Sequence, residues 1–139
     1  MTQEKTLEIL KTTNDNIFLT GSPGTGKSWL INKYVDWLIE NGKTPIMTAS
    51  TGIAALNIGG RTLHSWGGLR NDDPIDDEDI DDILEGYSHA NYQSTDLLII
   101  DEISMVPATD LGRLSRSFND ARSVKEHKMG GVHSMFIGD

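Results

Sequence analysis

Apolar residues along this chain switch between two spacings, and the switches mark its elements. Leu7 and Leu10 sit three apart among polar residues from Thr2 to Thr12, which predicts a short amphipathic helix broken by Asn14-Asp15-Asn16. Ile17-Phe18-Leu19-Thr20 is a short apolar run that reads as a buried strand leading directly into a Gly-rich turn. Leu30, Ile31, Tyr34, Val35, Leu38 and Ile39 then recur at helical spacing until Asn41-Gly42, a good helix stop. Pro45 to Thr48 predicts a second strand and Thr51 to Leu56 a short helix of small residues. Asn57-Ile58-Gly59-Gly60 predicts a turn, and Thr62 caps a further short helix around His64. Ile80, Ile83, Leu84 and Tyr87 fall at i, i+3, i+4 and i+7 behind Asp76 or Asp77 as N-cap, an acidic amphipathic helix. Asp96-Leu97-Leu98-Ile99-Ile100-Asp101 is an apolar run ending in acids and reads as a central parallel strand. A helix near Asp110 to Ala121 and a strand from Val132 to Ile137 complete the series.

Strands alternating with helices imply an α/β fold with a mostly parallel sheet. At 139 residues there is room for one domain of ordinary size. No stretch approaches the roughly 18 to 20 apolar residues that cross a bilayer, and no charged-then-apolar leader opens the chain, so the expectation is a soluble protein without membrane partners. With no Cys, disulfides and thiolate metal sites are excluded. The net charge of −9 is local: nine of the 21 acids lie between Asp72 and Glu85, where there is no Lys or Arg. The remainder is balanced, so overall acidity does not argue against nucleic-acid binding elsewhere on the surface. The acidic insertion, residues 71–87, is expected to be a solvated arm. An EF-hand loop fails there, because Asp77, Asp79 and Asp81 are followed by Asp82 where the sharp turn needs Gly.

Gly21-Ser22-Pro23-Gly24-Thr25-Gly26-Lys27-Ser28 satisfies G-x-x-x-x-G-K-[ST] between a strand and a helix, the setting that this phosphate loop requires. Its glycines let backbone N–H groups curl inward at phosphates, and the helix beginning near Gly26 adds its positive dipole end. The expected nucleotide cradle is Gly21, Pro23, Gly24, Thr25, Gly26, Lys27 and Ser28 with the adjoining Trp29. Lys27 reaches the β- and γ-phosphates of ATP, and the Ser28 hydroxyl ligates Mg²⁺. Asp101-Glu102 closes the strand expected beside that loop, placing Asp101 to hold the Mg²⁺ hydration shell and Glu102 to deprotonate an attacking water. Lys27, Asp101 and Glu102 are thus the candidate catalytic residues, and Ser28 and Asp101 the candidate metal ligands.

Four segments in order resemble the Pif family of superfamily-one DNA helicases, relatives of RecD. They are Phe18-Leu19-Thr20 with the phosphate loop, Thr48-Ala49-Ser50-Thr51-Gly52-Ile53-Ala54-Ala55, Ile58-Gly59-Gly60-Arg61-Thr62-Leu63-His64-Ser65-Trp66, and Ile99-Ile100-Asp101-Glu102-Ile103-Ser104-Met105-Val106. The resemblance implies a first RecA-like motor lobe of the P-loop NTPase class over residues 1–139. It further implies ATP-driven 5′-to-3′ translocation on single-stranded DNA, with duplex unwinding. By the same resemblance, Gln3 matches an adenine-contacting glutamine, and Ser50, Thr51 and Gly52 line the DNA track. His64 and Trp66 become candidates for contact with sugar or base, with local packing as the competing role for both. Met129 to Asp139 is similar to the approach to a third motif, which in the family continues into a Gln and a second RecA-like lobe.

ATP lies between two lobes in such motors, so the chain alone is expected to bind nucleotide, hydrolyse it feebly and not unwind DNA. A monomer inside the cell is expected: cytoplasm or nucleoid for a bacterium or phage, otherwise nucleus or mitochondrion. Two other readings stay open at this level: a nucleotide-dependent binding module whose acidic arm recruits a partner, and a small P-loop kinase, for which neither an acceptor pocket nor an Arg-rich lid is visible.

Overall fold

In the computed structural model, residues 2–13, 15–21, 26–68, 90–121 and 133–138 are described. The acidic insertion at 71–87 with its expected helix, and residues 22–25 of the phosphate loop, lie outside them. In chain order the elements are α1 (Gln3–Thr12), β1 (Ile17–Thr20), α2 (Lys27–Glu40), β2 (Pro45–Ala49), α3 (Gly52–Asn57), β3 (Arg61–Thr62) and α4 (Leu63–Gly67). After a helical stretch at 90–94 come β4 (Leu97–Asp101), a 3-10 turn (Ile103–Met105), α5 (Ala108–Ala121) and β5 (His133–Gly138). Local chemistry sets several starts. Thr2, Thr51 and Thr62 each turn a hydroxyl onto the N–H three residues on, at 3.2 Å, and so cap α1, α3 and α4. Asn41 ends α2, where its side-chain amide donates back to the Trp37 carbonyl at 2.7 Å.

The strands pair in the order β1-β5-β4-β2-β3, every described pairing parallel, which bears out the α/β reading with β4 in the middle. Register places Thr20 beside Gly138 and Ala49 beside Asp101, so the carboxyl ends of β1, β5, β4 and β2 lie along one rim.

Both sheet faces are covered, and β4 shows why its sequence is a continuous apolar run. Leu97 and Ile99 face a cluster built with Leu30, Ile31, Tyr34 and Leu38 of α2. Leu98 and Ile100 face the opposite cluster of Leu63, Trp66, Tyr92, Leu114 and Phe118. Two polar groups inside the sheet find partners on neighbouring segments: the buried Thr48 hydroxyl donates to the Ile99 carbonyl at 2.7 Å, and the Ser134 N–H donates to Asn16 Oδ1 at 3.0 Å. Asp96 lies just before β4, where its carboxylate accepts the Thr44 N–H at 2.7 Å and holds the entry to β2 against it.

One glycine is fixed by space: a Cβ on Gly60 would overlap the Met47 carbonyl oxygen, so only Gly lets the chain pass this close to β2 as it enters β3. No described helix is long and apolar enough to cross a membrane.

Candidate functional site

Parallel strands deliver the loops at their carboxyl ends to one rim, the usual place for ligand sites in open α/β sheets. There a cavity of about 710 Å³ opens, within the size range of small-molecule sites. Lys27 and Ser28 reach it from the first turn of α2, and Asp101 and Glu102 from the end of β4. The structure therefore brings together the four residues that sequence reasoning named for phosphate, metal and water. Gly26 precedes them at φ 86°, a left-handed turn that allows α2 to start with its amide end at the cavity. The Lys27 ammonium donates to the carbonyls of Gly21, after β1, and of Gly138, at the end of β5, the latter at 3.3 Å. Both acceptors are neutral, and a phosphate oxygen is a stronger acceptor for the same cation.

The donor set fits a magnesium nucleotide. Among the described residues, no group of three or more His, Asp or Glu could hold a metal unaided. A hydroxyl and a carboxylate from Ser28 and Asp101 at one cavity are instead the partial oxygen set that Mg²⁺ completes with water and nucleotide phosphates. Asp101 is braced by main chain: its Oδ1 accepts the Glu102 N–H at 2.8 Å, and its carbonyl accepts the Ser50 N–H at 3.3 Å. Glu102 has φ 54°, the one non-glycine with positive φ among the described residues. Such a backbone costs of order 1–3 kcal/mol and persists where neighbours impose it, commonly at functional sites.

The other candidate residues are distributed as follows. The Gln3 side-chain amide lies against Gly26, so closely that a Cβ on that glycine would overlap it. Pro23, Gly24 and Thr25 lie outside the described residues. Trp29 is exposed on α2 beneath Lys33, whose ammonium is 5.9 Å from its ring, and does not line the cavity. Ser50 and Thr51 stand between β2 and α3, each hydroxyl 3.4 Å from Glu102 Oε2, and Gly52 opens α3 exposed.

Two DNA-contact candidates take protein roles. Trp66 is 3% exposed, packed edge-on against Tyr92 and beside Phe118, so the base-stacking expectation is corrected: its ring is core. His64 Nε2 meets Asp110 Oδ2 at 2.9 Å, an ion pair when the ring is protonated, and Arg113 stands 4.0 Å from the other oxygen. This pairing engages one ring nitrogen of His64 within the protein.

Sequence reasoning missed Asp110 as that partner, and it missed Asn32, Asn57 and Ser104 on the cavity wall. Asn32 was readable, since it follows Ser28 by four on α2 and so shares its face. Asn57 and Ser104 carry no spacing signal of their own.

A family profile described as PIF1-like helicase matches residues 3–139. Over 140 aligned residues the chain is 37% identical to the ATP-dependent DNA helicase Pif1 of Psychrobacter sp. (strain PRwf-1), covering 100% of this chain and 21% of that protein. The crystal structure of Pif1 helicase from Candida albicans superposes with a TM-score of 0.81 at 35% identity, over 99% of this chain and 31% of its own. Pif1 helicase from Bacteroides in complex with ADP-AlF3 and ssDNA superposes with a TM-score of 0.77 at 30% identity, over 99% and 31%. The chain thus spans about a fifth to a third of the length of these relatives. With the profile match running over nearly its whole length and its fold in agreement, the chain belongs to the PIF1-like helicase family.

Proposed function

We propose that this chain is the ATP-binding first RecA-like motor lobe of a 5′-to-3′ DNA helicase, residues 1–139 with an acidic insertion at 71–87. In this reading it couples ATP hydrolysis to travel along single-stranded DNA. The observation that carries the reading is the convergence of Lys27, Ser28, Asp101 and Glu102 on one cavity. Support also comes from the helicase names of its relatives and from the ADP-AlF3 and ssDNA held by the Bacteroides protein.

The nucleotide enters along the amide end of α2. Lys27 exchanges its two carbonyl acceptors for β- and γ-phosphate oxygens, and the Gln3 amide, already against Gly26, faces the base. Ser28 and Asp101 would hold Mg²⁺, which would supply positive charge to offset that of the nucleotide phosphates. Glu102 orients a water for in-line attack and takes its proton. Ser50, Thr51 and Gly52 meet DNA phosphate with hydroxyls and an open backbone.

A second lobe supplies the cation that completes the site; an arginine in that role is worth roughly 10³ to 10⁵ in rate in related enzymes. The isolated chain accordingly turns ATP over feebly and does not unwind a duplex. Titration calorimetry with MgATP on wild type and Lys27→Ala tests the nucleotide reading. Loss of a hydrogen-bonded cation, worth about 1.5–3 kcal/mol, lowers affinity roughly 10- to 100-fold. Equal affinity in the two proteins would overturn it.

A further inference from the structure

Glu102 is held from a direction that its role in hydrolysis does not require. Both hydroxyls of the β2–α3 loop, Ser50 Oγ and Thr51 Oγ1, lie 3.4 Å from the same carboxylate oxygen, Oε2. Thr51 Oγ1 meanwhile accepts the Ala54 N–H as the cap of α3, so its proton is free to point at Glu102. The loop is tied to the end of β4 a second time through the Ser50 N–H and the Asp101 carbonyl. We infer that Ser50 and Thr51 form a latch on Glu102, and that these two hydroxyls are contested between that carboxylate and a DNA phosphate. This inference rests on the proposed DNA track.

A hydroxyl has one proton to donate, so it serves Glu102 or a phosphate and not both. The contacts are long and solvent-exposed, hence weak enough for DNA to displace. When DNA takes the hydroxyls, Glu102 is released toward the cavity that it also lines. Linkage makes the effect reciprocal: whatever DNA does to the freedom of Glu102, removing the Glu102 carboxylate does to DNA affinity. Ser50 and Thr51 are therefore positioning residues for the hydrolytic acid as well as DNA ligands, and the two sites communicate through one pair of hydroxyls.

The test is a double-mutant cycle read by fluorescence anisotropy of a labelled oligo-dT strand. Glu102→Ala is compared in the wild-type background and in Ser50→Ala/Thr51→Val. Removing the negative charge strengthens DNA binding in both, and the latch adds to the wild-type gain alone, so that gain exceeds the other by about threefold. Because Thr51→Val also removes the cap of α3, the cycle is repeated with Ser50→Ala alone, which leaves the cap intact and shows the same excess at smaller size. Ser50→Thr, which restores the hydroxyl, returns the wild-type value. Equal gains in all backgrounds, with DNA still bound, would sink the latch and leave the DNA track standing. If wild type binds no oligo-dT, the track itself falls and the latch with it.

Discussion

Replacing Trp66 by Ala separates core from DNA contact. The indole is 3% exposed, with its centroid 5.2 Å from that of Tyr92 and 5.9 Å from that of Phe118, and these two rings stand 4.6 Å apart. Truncation at such a site costs about 3–5 kcal/mol, from lost transfer energy, the cavity left behind and the lost edge-to-face pairs. That is a large part of the roughly 5–15 kcal/mol available to a domain. With a urea slope of about 2 kcal/mol per molar, the unfolding midpoint falls by about 2 M. Trp66→Phe, which keeps a ring in the trio, costs about 1–2 kcal/mol and keeps the protein folded for comparison. Urea unfolding followed by far-UV circular dichroism gives the stability, and anisotropy with oligo-dT gives the affinity of the folded Phe variant, which stays at the wild-type value. A midpoint that does not move, combined with the roughly tenfold or greater loss of DNA affinity that losing a stacked base predicts, would refute the packing argument.

Two further outcomes follow from the same core and sheet. Burial pushes the Tyr92 hydroxyl up to about 12 from its ordinary value of 10.0, with a hydrogen bond to Ser117 pulling weakly the other way. Because the folded pKa is the higher one, this stabilisation is full below pH 10 and is lost as pH rises from about 10 to 12. Its size is about 2–3 kcal/mol, and Tyr92→Phe flattens that part of a stability-against-pH curve; an unchanged curve would contradict it. Gly60→Ala places a methyl on the Met47 carbonyl, and the forced shift of β2 costs about 1–3 kcal/mol in chemical denaturation, whereas Gly52→Ala, where a Cβ meets open space, stays within about 0.5 kcal/mol.

Much of the fold was legible because its signals are local. Apolar runs between turns marked the four longer strands to within a residue or so, and Thr62 marked the cap of α4, whereas Thr51, read as the first residue of α3, is its cap. The strand Arg61–Thr62 was missed: two polar residues give no period, and Thr62 already carried a capping signal that the structure also honours. The phosphate loop and Asp101-Glu102 were visible as motifs. Their meeting at one cavity depends on sheet order, which spacing alone does not give. The DNA candidates show the opposite case. His64 and Trp66 sit in a short helix whose sequence does not say which face is covered. Their partners, Asp110, Tyr92 and Phe118, come later in the chain, Asp110 by 46 residues.

Among the described strands, β1 pairs with β5 alone, and the anchor of Lys27 on the Gly138 carbonyl spans 111 positions of chain. Synthesis runs from the N-terminus, so Lys27 leaves the ribosome long before the strand that anchors it. If Lys27 serves a nucleotide as proposed, the Gly138 carbonyl that positions it is in place only once residues 133–138 have docked.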